Sequence, residues 1–106
     1  MIPSVRLTPD EIEKIIKAFK HHFSSQDHLW LFGSRVDLNK RGGDIDFYIE
    51  TLESDINTIV NKKMDFVNEL WQTLGDQQID VVVNLLPEKK HLPIYEIAQK
   101  TGVQLV

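Results

Sequence analysis

Cysteine is absent from the 106 residues of this sequence. That excludes a disulfide scaffold, a thiolate zinc site and a cysteine nucleophile, and it suits a reducing compartment. Positive charge is also in short supply: 12 lysines and arginines face 16 acidic residues, for a net charge of -4. With no basic stripe to neutralise a run of phosphates, polymeric nucleic acid is not expected as a direct partner. No apolar run approaches the ~20 residues that span a bilayer. The opening Met1-Ile2-Pro3-Ser4-Val5-Arg6 lacks the apolar region of a signal peptide, so the expected location is the cytoplasm, away from membranes. Glycine and proline number only five and four, and there is no repeat, low-complexity stretch or linker. What remains is an ordinary globular composition, 42% hydrophobic and 26% charged, in a chain the size of one domain spanning residues 1–106.

Thr8-Pro9-Asp10-Glu11 reads as a helix start, with Thr8 as N-cap, Pro9 in the first turn and Glu11 closing a capping box. Ile12, Ile15, Ile16, Phe19 and Phe23 recur at helical spacing, which predicts an amphipathic helix ending near His22 or Phe23. His28-Leu29-Trp30-Leu31-Phe32, stopped by Gly33, predicts a buried strand. From Asp44 to Glu50 the pattern alternates: Asp44, Asp46, Tyr48 and Glu50 on one face, Ile45, Phe47 and Ile49 on the other. A second helix is expected from about Ser54 to Leu74, with Ile56, Ile59, Val60, Met64, Val67, Leu70, Trp71 and Leu74 as its apolar stripe and Met64 and Trp71 in the core. Gln78 to Leu86 predicts a third strand, Pro93 to Lys100 a last short helix closed by Gly102, and Val103 to Val106 an edge strand.

Strands with one apolar and one polar face need helices on the apolar side only. The expected architecture is therefore α+β: a small mixed sheet, open on one face, with helices packed on the other. Three features converge on the open face. Gly33-Ser34-Arg35 ends a strand, where glycine admits a ligand close to the backbone. The chain after it can start a short helix through Arg35-Val36-Asp37-Leu38, whose unpaired N–H groups, with the Ser34 hydroxyl and the Arg35 cation, form an anion site. Asp44 and Asp46, two apart on a strand, point the same way ~6–7 Å apart and can serve one cation site. Asp80 occupies the corresponding face of another strand, inside the run Gln78-Ile79-Asp80-Val81-Val82-Val83, where a buried acid costs stability unless paired or metal-bound. Three converging carboxylates repel one another, and divalent metal resolves the repulsion; two magnesium ions, ~3.5–4 Å apart, would clamp an in-line displacement at phosphorus.

Leu31-Phe32-Gly33-Ser34-Arg35, the nine residues from Arg35 to Gly43, and then Asp44-Ile45-Asp46 together resemble the signature of the DNA polymerase β-like nucleotidyltransferase superfamily. More narrowly, the chain resembles the minimal nucleotidyltransferases (MNT-type proteins), small prokaryotic proteins with little beyond the catalytic core. The resemblance covers most of the chain, and its specific part runs from Leu29 to Leu85. It implies the polymerase β-like fold, with Gly33, Ser34 and Arg35 binding the nucleotide's phosphates and Asp44, Asp46 and Asp80 both catalytic and metal-binding, Asp80 helping to deprotonate the attacking hydroxyl. It implies Mg2+, or Mn2+, as cofactor and ATP or another NTP as substrate. One departure is Gly43, where the family often has serine.

The activity implied is transfer of a nucleoside monophosphate, AMP from ATP, to an acceptor hydroxyl, with release of pyrophosphate. Many minimal members pair with a helical HEPN-domain protein, often a toxin, for which they act as antitoxin, and some modify a tyrosine of that partner with AMP, so a HEPN-family partner and a homo- or hetero-oligomer are expected. The competing expectation is a non-catalytic nucleotide-binding module that neutralises its partner by covering it. An antibiotic-modifying nucleotidyltransferase is disfavoured, because such relatives add an acceptor-gripping domain with no counterpart here.

Other residues have plainer readings. His21-His22 suits the negative end of the first helix. Trp30 and Tyr48 are expected to pack or hydrogen-bond at the sheet rim rather than stack a base. Lys40-Arg41 and Lys89-Lys90-His91 read as solvated surface.

Overall fold

The computed structural model describes residues 6–33, 44–88 and 91–106. The order of elements is α1 (Pro9–His22), β1 (His28–Phe32), β2 (Ile45–Thr51), α2 (Ile56–Leu74), β3 (Ile79–Leu85), a 3-10 turn at Leu86–Glu88, α3 (Pro93–Thr101) and β4 (Val103–Gln104). The four strands form one mixed sheet in the order β3-β2-β1-β4. β1 runs antiparallel to both β2 and β4, and β2 and β3 are parallel, joined by α2 as the crossover. Among the described residues, three helices pack on a small open sheet, which is an α+β fold. No helix among the described residues is long and apolar enough to cross a membrane.

The start of α1 follows its capping chemistry. Thr8 Oγ1 accepts from the Glu11 N–H at 3.1 Å, and Glu11 Oε1 accepts from the Thr8 N–H at 2.9 Å. The helix buries Ile12, Ile15, Ala18 and Phe19 against α2 and the sheet face carrying Leu29, Leu31, Ile45, Phe47 and Ile49. Phe66 of α2 closes this core, edge-on to Phe19, Phe23 and Phe47 with ring centroids 5.4 to 6.1 Å apart. Asp27 is the one buried acid of this region that the described contacts satisfy with backbone alone. Its Oδ2 accepts from the Ser24 N–H at 3.0 Å and its Oδ1 from the Leu52 N–H at 3.2 Å, so it ties the turn before β1 to the end of β2.

Two expectations about packing change. The core residues of α2 are Ile59, Phe66 and Leu70, whereas Met64 and Trp71 are exposed at 58% and 45%. At 100° per residue, Met64 and Trp71 lie ~120–140° round the helix from the buried line, so α2 carries two apolar stripes and only one meets the sheet. The opposite face of the sheet is also not bare. α3 lies across part of it, and Tyr95 and Ala98 pack with Phe32 and Tyr48, flanked by Trp30 and Val82. The Tyr48 ring is thereby fully buried between Trp30 and Tyr95, at centroid distances of 5.2 and 5.6 Å. Tyr48 packs, as expected, and has no face left for a base.

Candidate active site

The ladder registers build the site. β1 pairs with β2 so that Phe32 stands opposite Asp46, which sets Gly33 just beyond the end of that ladder. β2 pairs with β3 so that Asp46 stands opposite Asp80. Both registers keep Ile45, Phe47 and Ile49 on the core face, which a slip of one residue would not. Asp44 precedes β2 on the same face as Asp46.

Asp46 is half-buried, while Asp44 and Asp80 are exposed. Burial first, then the negative charges of Asp80 and Asp44, and lastly a side-chain hydrogen bond with Asp80, hold the Asp46 carboxyl above its ordinary range. Asp46 and Asp80 are thus the close pair, and Asp44 acts on Asp46 through its charge. Among the described residues, no three imidazole or carboxylate groups converge into a ready metal cage. The donor set nonetheless suits a hard divalent cation, being all carboxylate oxygen and carrying a repulsion that a cation would relieve.

The exposure of Asp80 revises the reason for noticing it. A run of valines around an acid suggested a buried strand, but β3 is the outermost strand, and Asp80 meets solvent. What marks Asp80 is its register with Asp46, not the cost of burying it.

Gly33 is required by geometry twice over. Its φ of +77° lies in the region that side chains disfavour, and a Cβ there would collide with Asp46 Oδ2. Ser34 and Arg35, the short helix expected after them, Lys40-Arg41, Gly43 and Lys89-Lys90 lie outside the described residues.

A polar network at the far end of the same face went unread in the sequence. Tyr48 Oη donates to Glu50 Oε2 at 2.8 Å and accepts from Asn84 Nδ2 at 3.0 Å, and Gln99 Nε2 of α3 donates to Glu50 Oε2. Burial holds the Tyr48 hydroxyl above the ordinary tyrosine range, so it stays protonated. Only the alternation that put Glu50 on the face of Asp46, and Asn84 on that of Asp80, hinted at it. His21 and His22 find a partner that local sequence did not reveal: Glu69 of α2 contacts His21 Nδ1 at 3.0 Å and His22 Nε2 at 2.9 Å. No protein-family model matches this chain, and no curated protein matches it.

Proposed function

We propose that this chain is a metal-dependent nucleotidyltransferase that moves AMP from ATP to a hydroxyl group. The single observation that carries the reading is the meeting of Asp46 and Asp80 across β2 and β3, with Asp44 in electrostatic reach and Gly33 against Asp46. This agrees with the resemblance of Gly33-Ser34-Arg35 and Asp44-Ile45-Asp46 to the polymerase β-like signature.

Asp44, Asp46 and Asp80 would hold magnesium or manganese, which when bound supplies charge neutralisation for the triphosphate and the transferring phosphoryl group. The chain's own residues have separate tasks. Gly33, lacking a side chain, lets the Asp46 carboxylate lie directly against the backbone that leads to Ser34. Ser34 and Arg35 are assigned to those phosphates by the resemblance. Asp80 is exposed, so it can receive the proton that leaves the acceptor hydroxyl as that oxygen bonds to the α-phosphorus. The bond from the α-phosphorus to the bridging oxygen breaks at the same time, and pyrophosphate departs. Asp44 and Asp80 both face solvent, so the site is shallow, which suits a macromolecular acceptor that brings its own hydroxyl. A tyrosine of a HEPN-family toxin, with this chain as its cytoplasmic antitoxin, is the acceptor that the resemblance favours.

The test supplies ATP, Mg2+ and the protein encoded beside this chain. Mass spectrometry should find ~329 Da, one AMP group, added to a partner hydroxyl. Asp44→Asn should abolish the addition while leaving the circular dichroism spectrum unchanged. A partner that binds tightly, never gains mass and is still neutralised by Asp44→Asn would establish the covering module instead.

A further inference from the structure

β3 is an edge strand whose one charged residue is Asp80. It holds no lysine and no proline, and among the described residues no strand pairs with its outer side. The direction of its backbone groups follows from one bond. The Ile45 N–H donates to the Gln78 carbonyl at 2.9 Å, so in a parallel ladder residues 78, 80, 82 and 84 turn their backbone toward β2. Ile79, Val81, Val83 and Leu85 therefore direct their N–H and C=O groups outward. Among these groups, the Val83 carbonyl is reached by the Tyr95 hydroxyl, at a long 3.4 Å.

The sequence of this strand is close to a palindrome. Reading outward from Val82, Val81 mirrors Val83, Asp80 mirrors Asn84 and Ile79 mirrors Leu85. An antiparallel copy centred on Val82 would set valine against valine, isoleucine against leucine and aspartate against asparagine, with no carboxylate opposite a carboxylate. It would also keep every residue on its own face. The outward-directed residues fall opposite one another as hydrogen-bonded pairs, and Val82 meets its copy as a non-hydrogen-bonded pair.

The second apolar stripe of α2 belongs to the same surface. Ile56, Val60, Met64 and Trp71 are exposed at 61%, 47%, 58% and 45%. Met64, Val67 and Trp71 share a groove of about 260 Å³ with Ile79, at the start of β3. Ile56, Val60, Met64 and Trp71 together make a patch on the scale of the largest that monomers show, roughly 300–600 Å². Two copies would cover twice that area, and the paired strand edges would bring the total to the scale of a specific interface, ~1,000 Å².

We propose that β3 and the outer stripe of α2 form an isologous dimer face, whose occupant is a second copy of this chain. The two-fold axis passes beside Val82. The two sheets join through β3 into one continuous sheet, and the two α2 helices run antiparallel along it on the core face. A self-complementary strand edge is what a two-fold contact requires, and an unrelated partner would have no need of the palindrome. The proposal is independent of the catalytic reading.

The absence of cysteine makes the test direct. Light scattering on the full chain at ~100 µM should give twice its 12.3 kDa mass. Val82→Cys should oxidise to a disulfide-linked dimer, since the Cα atoms of a non-hydrogen-bonded antiparallel pair lie ~4.5 Å apart, within disulfide range. Leu85→Cys should not, because its two copies would stand six residues apart along the strands, ~20 Å. Met64→Lys, at an exposed position that leaves the monomer's core intact, should weaken dimerisation at least ~10-fold with an unchanged circular dichroism spectrum. A monomer at ~100 µM, equal cross-linking at positions 82 and 85, or a Met64→Lys protein that dimerises as tightly as the parent would each overturn the proposal. So would a chain that stays monomeric and takes up a different protein on this face.

Discussion

Gly33 and Asp46 meet where the β1–β2 ladder ends, so closely that a methyl group on Gly33 would overlap the Asp46 carboxylate. The backbone at Gly33 has φ +77°, and the substitution Gly33→Ala therefore carries both strain and a clash. It should cost ~1–3 kcal/mol, several degrees of melting temperature in a domain this small, and weaken ATP binding at least ~10-fold. Thermal melting and calorimetry with ATP and Mg2+ separate the two effects. An alanine variant that melts and binds like the parent would show that the close approach has no consequence.

The raised Asp46 carboxyl has a sign that a pH series can read. Its folded-state pKa lies above the unfolded one, so its stabilising contribution is complete below the ordinary carboxylate range and is lost as pH rises through the folded value. Asp46→Asn removes that loss. In chelator, the variant should melt higher than the parent at pH 7, by no more than ~1 kcal/mol after solvent screening, and the difference should shrink on acidification. Transfer activity should vanish in the same variant. A parent protein that is the more stable at pH 7 would contradict the repulsion of Asp46 by Asp80 and Asp44.

Metal and nucleotide should bind together. Calorimetry should show ATP binding with Mg2+ and at least ~10-fold weaker binding in chelator, because the carboxylates repel the triphosphate until a cation lies between them. Equal affinity in both conditions would sink the metal-dependent reading while leaving the dimer proposal untouched.

Asp27 offers a test remote from the site. Asp27→Ala leaves the N–H groups of Ser24 and Leu52 without the acceptor they share. The expected loss is ~2–3 kcal/mol in urea denaturation, with the slope of the transition unchanged.

Glu69 joins α2 to the end of α1 by way of both histidines. Burial pushes its carboxyl up, but the hydrogen bonds from His21 and His22 outweigh this and hold it below its ordinary range. Its contribution is present above the unfolded pKa and lost as pH falls through the folded one. Glu69→Ala should therefore cost ~0.5 kcal/mol at pH 7 and nothing once the carboxyl is protonated in the parent, as measured by denaturation at the two pH values.

Local pattern alone determined most of the elements of this protein. The capping box at Thr8 and Glu11, the alternation through Ile45, Phe47 and Ile49, and the stop at Gly75 are short-range signals, and each stands within two residues of where its element begins or ends. The alternation also put Asp44 and Asp46 on one face. Periodicity could not choose between the two apolar stripes of α2. Both repeat at helical spacing, and only the position of the sheet buries Ile59, Phe66 and Leu70 while leaving Met64 and Trp71 in solvent. Nor could it rank the strands. A valine-rich run looks the same at the centre of a sheet and at its edge, so the exposure of Asp80, and the free side of β3, were decided by strand order. The same holds for pairings across long stretches of chain. Asp46 beside Asp80, Glu69 beside His21 and His22, and Tyr95 over Tyr48 depend on where whole elements pack, and no local pattern carries that information.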